Sequence, residues 1–275
     1  MAKPIEELTI TDDFMFGAVM SYPQYCKPLL EIALGVRIRR IEYPELQKAI
    51  NERYGSKSVR LDAYVEDDAG TVYDVEIQTT DKKNLPERMR YYQSLIDLRI
   101  LEKGEDYTAL RRSFVIFICT YDPFGKGRYA YTFENRCRED SGVALGDKSA
   151  KIVLNTKGRV GEAGGDLKAL LRYMDGAAPE SPYTRALDAA VTEIRADKKW
   201  RREYMVLNEL LRENRRMGRY QMQVEMLRKF RNRFASEEMA EICMLRPEAV
   251  KAILNAIDAH PDWDDETVAE NVSFE

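Results

Sequence analysis

The stretch from Phe114 to Cys119 is apolar at every position and consists mainly of aromatic and β-branched residues. A strand with one face in water alternates apolar and polar residues. An unbroken run of this length fits a strand buried on both faces, which needs cover on both sides. The surrounding pattern supplies candidates for that cover. Pro86 to Leu101 reads as a helix, with apolar positions at Met89, Tyr92, Leu95 and Ile96, and Gly104 follows it. Tyr129 to Phe133 and Ala150 to Leu154 read as further strands. Near the N-terminus, Thr11 or Asp12 is placed to cap a short helix, and Tyr25 to Leu34 continues as a second, closed by Gly35. Strands separated by helices imply an α/β domain over about residues 8–175.

Val59 to Gln78 carries the clearest hairpin pattern. Leu61, Ala63 and Val65 alternate with Asp62, Tyr64 and Glu66. After Asp68-Ala69-Gly70, Val75 and Ile77 alternate with Asp74, Glu76 and Gln78. A three-residue loop with Gly70 left-handed is a common connection. It pairs positions whose numbers sum to 138 and sets Asp62 opposite Glu76 and Tyr64 opposite Asp74. Directly opposed side chains lie about 4.5–5.5 Å apart at Cβ. Two carboxylates at that separation repel unless a positive group lies between them, and a divalent cation is one such group. A half-buried hairpin with a solvated polar face would carry the same residues. A one-residue change in the loop would send Asp62 to the opposite face.

Composition narrows the chemistry. The chain has 275 residues, 44% of them apolar, and a formal charge of -4. Its single histidine, His260, lies in the polar run Asp258-Ala-His260-Pro-Asp262, so histidine-based nucleophilic catalysis or metal ligation has little to draw on. The four cysteines are widely separated and form no CxxC. No apolar run approaches membrane-spanning length, and the N-terminus lacks a signal-peptide core. A reduced, cytoplasmic protein is expected.

Asp62, followed on the next strand by Glu76-Ile77-Gln78, resembles the bipartite signature of the PD-(D/E)XK nuclease superfamily. More narrowly, it resembles the recombination-promoting nuclease and transposase branch, whose triplet often ends in Gln. Tyr73-Asp74-Val75-Glu76-Ile77-Gln78 is similar to that branch's triplet strand. Asp12-Asp13-Phe14-Met15-Phe16 is similar to its Asp-x-x-Phe-Lys start, Arg88 with Tyr92-Gln93-Ser94 to its Arg-x-x-x-Tyr-x-Ser helix, and Gly104-Glu105-Asp106-Tyr107 to its Gly-x-x-Tyr segment.

The resemblance implies a restriction-endonuclease-like central mixed β-sheet flanked by helices, with a helical C-terminal region. It implies a metal-dependent DNA endonuclease in which Asp62 and Glu76 hold Mg²⁺ or Mn²⁺. The Ile77 carbonyl would be a third ligand, Gln78 a catalytic group and Asp13 an accessory acid. Two positions depart from the pattern. Gly17 stands where the first motif has Lys, and Gln78 stands where the superfamily has its triplet Lys. Lys82 and Lys83 are the nearest substitutes in sequence. The alternative is a catalytically decayed nuclease fold that serves as a DNA-binding or protein-interaction module.

Gly176 to Pro182 breaks the pattern and suggests a nuclease-like domain over 1–175 and a helical region over 183–275. Residues 195–233 hold thirteen Lys/Arg against five acids, a local charge of +8 in a chain of net -4. Arg201, Arg202, Arg215 and Arg216 are the candidate DNA contacts, and the C-terminal helices a candidate means of homo-oligomer formation. Ser236 to Ile253 has the cadence of a helix-turn-helix or of a plain αα-hairpin.

Overall fold

The computed structural model describes residues 3–43 and 63–274. Two compact units divide at Arg201 and Arg202. In the first, α1 (Asp13–Met20), α2 (Pro23–Leu34) and β1 (Ile41–Glu42) precede the hairpin of β2 (Ala63–Asp67) and β3 (Val72–Gln78). After them come α3 (Leu85–Ile100), β4 (Ser113–Cys119), β5 (Ala130–Phe133), β6 (Ser149–Asn155), α4 (Gly165–Met174) and α5 (Pro182–Ala196). Among the described residues the strands form one mixed sheet in the order β1-β2-β3-β4-β6-β5. β3, β4 and β6 are mutually parallel and the other neighbouring pairs are antiparallel. This is the sheet-and-helix architecture expected from the sequence.

The hairpin register sums to 138 throughout Ala63–Glu66, with Ala63 opposite Val75 and Tyr64 opposite Asp74. The turn explains the precision. Gly70 has φ +77° and donates its N–H to the Asp67 carbonyl, and the Asp67 carboxylate accepts from the N–H groups of Ala69 and Thr71. A left-handed residue there favours glycine.

Parallel strands need a crossover connection. Between β3 and β4 it is α3, whose Leu85, Met89, Tyr92 and Ile96 pack on Val72, Val115, Phe117, Cys119 and Val153. The opposite face of β4 is also closed: Ile116 and Ile118 are fully buried. The unbroken apolar run is therefore a central strand covered twice.

The break at Gly176–Pro182 lies inside the first unit, and the division falls later than the sequence suggests. α5 packs on α1, α2 and α4. Its Tyr183 hydroxyl donates to the Tyr25 carbonyl at 2.6 Å, and Arg195 donates to the Leu8 carbonyl. The helical region that begins near Tyr183 is interrupted at Asp197. The Asp197 carboxylate accepts from the N–H groups of Lys199 and Trp200 and starts α6 (Lys198–Phe230). At the N-terminus, Asp12 precedes α1 but turns its carboxylate back to Thr9 and Lys3 rather than capping the helix.

The second unit is helical: the later part of α6, then α7 (Ser236–Cys243), α8 (Pro247–Ala259) and α9 (Asp265–Asn271). Val224, Leu227, Met239, Val250, Ile253 and Val268 share one buried cluster. The turn between α7 and α8 passes through Met244, which is left-handed at φ +53°. His260 follows α8 and stacks on Trp263 with ring centroids 3.9 Å apart.

Ile116 has no slack on either side of the sheet. Ile116→Ala is expected to lower the unfolding free energy by about 2–5 kcal/mol, measured by urea denaturation. A loss below about 1 kcal/mol would mean that the strand is not closed on both faces.

Candidate active site on β3 and α3

The pleat of β3 turns Val72, Asp74, Glu76 and Gln78 to the face that α3 covers, while Tyr73, Val75 and Ile77 point the other way. Every residue of β3 is buried, including Asp74 (0% exposed), Glu76 (2%) and Gln78 (7%). In β4, Val115, Phe117 and Cys119 are their respective pairing partners. Two carboxylates thus stand in a wall of aliphatic and aromatic side chains, where an ionised group is costly unless it has a charged partner.

Arg88 comes to this wall from the first turns of α3. One terminal nitrogen, Nη1, donates to the Gln78 side-chain oxygen. The other, Nη2, donates to the Tyr92 hydroxyl at 2.9 Å and lies 3.5 Å from a Glu76 carboxylate oxygen. The guanidinium sits 5.1 Å from the Phe117 ring centroid and 5.4 Å from that of Tyr92, within cation–π range. The Gln78 amide nitrogen donates to the Thr80 carbonyl at 2.5 Å. Gln78 is therefore held at both ends of its amide. Burial, with Glu76 close by, holds the Tyr92 phenol well above its ordinary value, so the ring carries a neutral hydroxyl.

The donors on this face are oxygens: the carboxylates of Asp74 and Glu76 and the amide of Gln78. A set of that kind suits a hard cation such as Mg²⁺ or Mn²⁺, typically held by one or two carboxylates with water and phosphate oxygens. Among the described residues no group of three or more His, Cys, Asp or Glu gathers at one point. Asp62 lies outside the described residues.

Residues 15–147 match the family model of the PD-(D/E)XK nuclease family transposases. The match begins in α1, takes in β3 and α3 and ends just before β6. The matched stretch covers just under half of the chain. No curated protein and no solved structure matches the chain.

The structure brings some of the sequence candidates together and leaves others apart. Glu76, Ile77 and Gln78 are consecutive on β3, with Ile77 on the reverse face. Asp13 begins α1 and borders a polar cleft of about 590 Å³ with Thr79, Thr120, Lys157 and Asp175. Thr79 and Thr120 immediately follow the parallel strands β3 and β4. The cleft thus lies outside the carboxyl ends of those strands, the usual ligand position in an open α/β sheet. Lys82 and Lys83 are exposed, and the Lys83 ammonium is paired with Asp81. Arg201 is paired with Glu6 at 2.6 Å, whereas Arg202, Arg215 and Arg216 are exposed on α6.

Three members of the site had no assigned role at the level of sequence. Asp74 was visible through its alternation with Glu76. Arg88 and Tyr92 were visible as an i, i+4 pair, but nothing in the sequence joined them to Gln78.

Desolvation in the cleft, reinforced by the Asp12 carboxylate, raises the Asp13 carboxyl, while Arg88 and Lys82 pull against that shift. A raised value in the folded chain means that Asp13's contribution to stability is complete at low pH and is lost as pH rises through that value. Asp13→Asn is therefore expected to raise Tm at neutral pH by about 1–3 °C, with the solvent screening of an exposed residue keeping the gain small. The gain should shrink to nothing near about pH 3. Thermal unfolding at the two pH values checks this, and an unchanged or lower Tm at neutral pH contradicts it.

Proposed function

We propose that the chain is a metal-dependent DNA endonuclease. The observation that carries this reading is the burial of Glu76 and Gln78 on one face of β3, beside Arg88, inside a domain matched to a nuclease family. Asp62 and Glu76 are the proposed holders of Mg²⁺ or Mn²⁺, with the Ile77 carbonyl as a further donor. The register sum of 138, on which the pairing of Asp62 with Glu76 was expected, holds over Ala63–Glu66. A bound divalent cation supplies Lewis-acid help and a more acidic water at neutral pH. The protein's own residues orient the rest. Gln78 directs its amide, Arg88 brings positive charge, and the aromatic walls of Phe117 and Tyr92 limit competing water. Water adds to phosphorus, the bond to one sugar oxygen breaks, and that oxygen leaves as a hydroxyl. The products are a phosphate monoester end and a hydroxyl end.

The glutamine at the lysine position favours a second reading, a domain that binds DNA without cutting it. One assay separates the two. Full-length protein with supercoiled plasmid and Mg²⁺ or Mn²⁺ is expected to give nicked or linear product, and Glu76→Gln, which keeps the shape of the side chain, is expected to lower the rate by at least about a hundredfold. Cleavage by Glu76→Gln at the wild-type rate would refute the assignment, and a wild type that binds but does not cut would favour the second reading.

DNA contact through α6 rests on its exposed arginines. Each phosphate neutralised contributes about 0.9 to the slope of log affinity against log salt. Replacing both Arg215 and Arg216 with Ala should reduce that slope by about 2. An unchanged slope would remove these two residues from the interface. Three of the four cysteines, Cys26, Cys119 and Cys243, are buried free thiols, which is compatible with the cytoplasmic setting proposed for such an enzyme. Among the described residues no helix is long and apolar enough to cross a membrane.

A further inference from the structure

We infer that Arg88 takes over the electrostatic work of the missing triplet lysine, and that Gln78 is the bracket that holds it in place. The inference rests on the nuclease reading and deepens it.

The first argument is positional. The triplet lysine of the superfamily pattern would extend from position 78, on the same face as Glu76. In this chain the side chain from position 78 ends in an amide whose oxygen accepts a hydrogen bond from the Arg88 guanidinium. The charge therefore sits one hydrogen bond beyond the position where a lysine would carry it.

The second argument is orientation. A glutamine that did nothing for the guanidinium could adopt several rotamers. Gln78 is fixed from both sides, by Arg88 at its oxygen and by the Thr80 carbonyl at its nitrogen. One terminal nitrogen of the guanidinium donates to the Tyr92 hydroxyl, and its planar fork can serve several acceptors at once. The result is one rigid group in contact with Gln78 and Tyr92 and 3.5 Å from Glu76.

The third argument is persistence of charge. Arg88 lies against two aromatic rings, is only about a quarter exposed and stands 3.5 Å from a Glu76 carboxylate oxygen, an opposite charge that favours a charged partner. Arginine remains charged there. By contrast, Lys83 is exposed and paired with Asp81, and Lys82 is exposed on the loop that precedes α3.

A charge with this role should be movable. The test uses the full-length chain, supercoiled plasmid and a titration with Mn²⁺, comparing wild type, Arg88→Met, the double variant Arg88→Met with Gln78→Lys, and Arg88→Lys. Folding of each is checked by circular dichroism and Tm. Arg88→Met is expected to lose about a hundredfold in maximal rate, while its half-saturating Mn²⁺ concentration stays the same or falls, because a competing cation beside Glu76 has gone. A merely structural role would weaken both quantities together. Adding Gln78→Lys to Arg88→Met is expected to restore at least tenfold of the lost rate.

The inference is overturned if Arg88→Met cuts within threefold of wild type. It is also overturned if the loss is entirely in Mn²⁺ affinity, or if a folded double variant recovers nothing. Should the methionine variants fail to fold, Arg88→Lys decides: within tenfold of wild type supports a charge role, and a folded protein more than a hundredfold slower overturns it. A wild type inert at every Mn²⁺ concentration refutes the nuclease reading itself, and the role of Arg88 with it. That result is distinct from an active wild type indifferent to Arg88.

Discussion

Glu76 is ionisable, almost wholly enclosed and two residues from another enclosed carboxylate, Asp74. Much of the first unit is arranged around the consequence. A buried carboxylate needs a positive partner, and the described one that reaches it, Arg88, is carried by a different element. The partner's position depends on how α3 sits on the sheet. That in turn depends on Met89, Tyr92 and Ile96 filling the surface offered by Val115, Phe117 and Val153. Apolar packing thus aims a charge. The same rings that complete the core, Tyr92 and Phe117, form the walls against which the guanidinium lies. A loosening of the hydrophobic contact would move the guanidinium away from Glu76, so stability and site geometry are one property here.

What the sequence disclosed follows from how local the signal was. The hairpin register was legible because period-two alternation ran on both sides of a turn that needs Gly70. β4 was legible because its run lacks any polar residue, and α3 because its apolar spacing is helical. Other features depend on contacts that sequence spacing does not encode. The bond from Arg88 to Gln78 joins positions ten apart on two different elements. The membership of α5 in the first unit depends on Tyr183 and Arg195 reaching the Tyr25 and Leu8 carbonyls, more than 150 positions away. The break at Asp197 was hidden because an aspartate among charged neighbours resembles any other helical surface position. Only its bonds to Lys199 and Trp200 reveal a cap.

The basic stretch of 195–233 looks different once its partners are known. Arg195 is committed to a backbone carbonyl, Arg201 to Glu6, Arg228 to Asp265, Lys229 to Glu225 and Arg231 to Asp258. These residues sit at the two ends of the stretch, and each is engaged within its own unit. The exposed arginines between them are Arg202, near the start of α6, and Arg212, Arg215, Arg216 and Arg219, in its middle. Arg216 there has only a loose, exposed contact with Glu213 at 3.7 Å, which contributes little. The charge that matters for an anionic partner is thus narrower than the count of Lys and Arg implies.

The pairing of Gln78 with Arg88 also explains why neither residue is interchangeable alone. A lysine at 78 with Arg88 retained would put two cations into one hydrogen-bond distance, beside a Glu76 carboxylate that already has Arg88 3.5 Å away. A lysine at 88 would keep the charge but lose the planar fork, and a point charge cannot satisfy the Gln78 oxygen and the Tyr92 hydroxyl in two fixed directions as a guanidinium does. The geometry therefore behaves as a two-residue unit. Gln78 is compatible with this site because Arg88 is present, and Arg88 is oriented because Gln78 has an oxygen to offer. A departure from the superfamily's lysine at one position is, on this view, half of an exchange whose other half lies on α3.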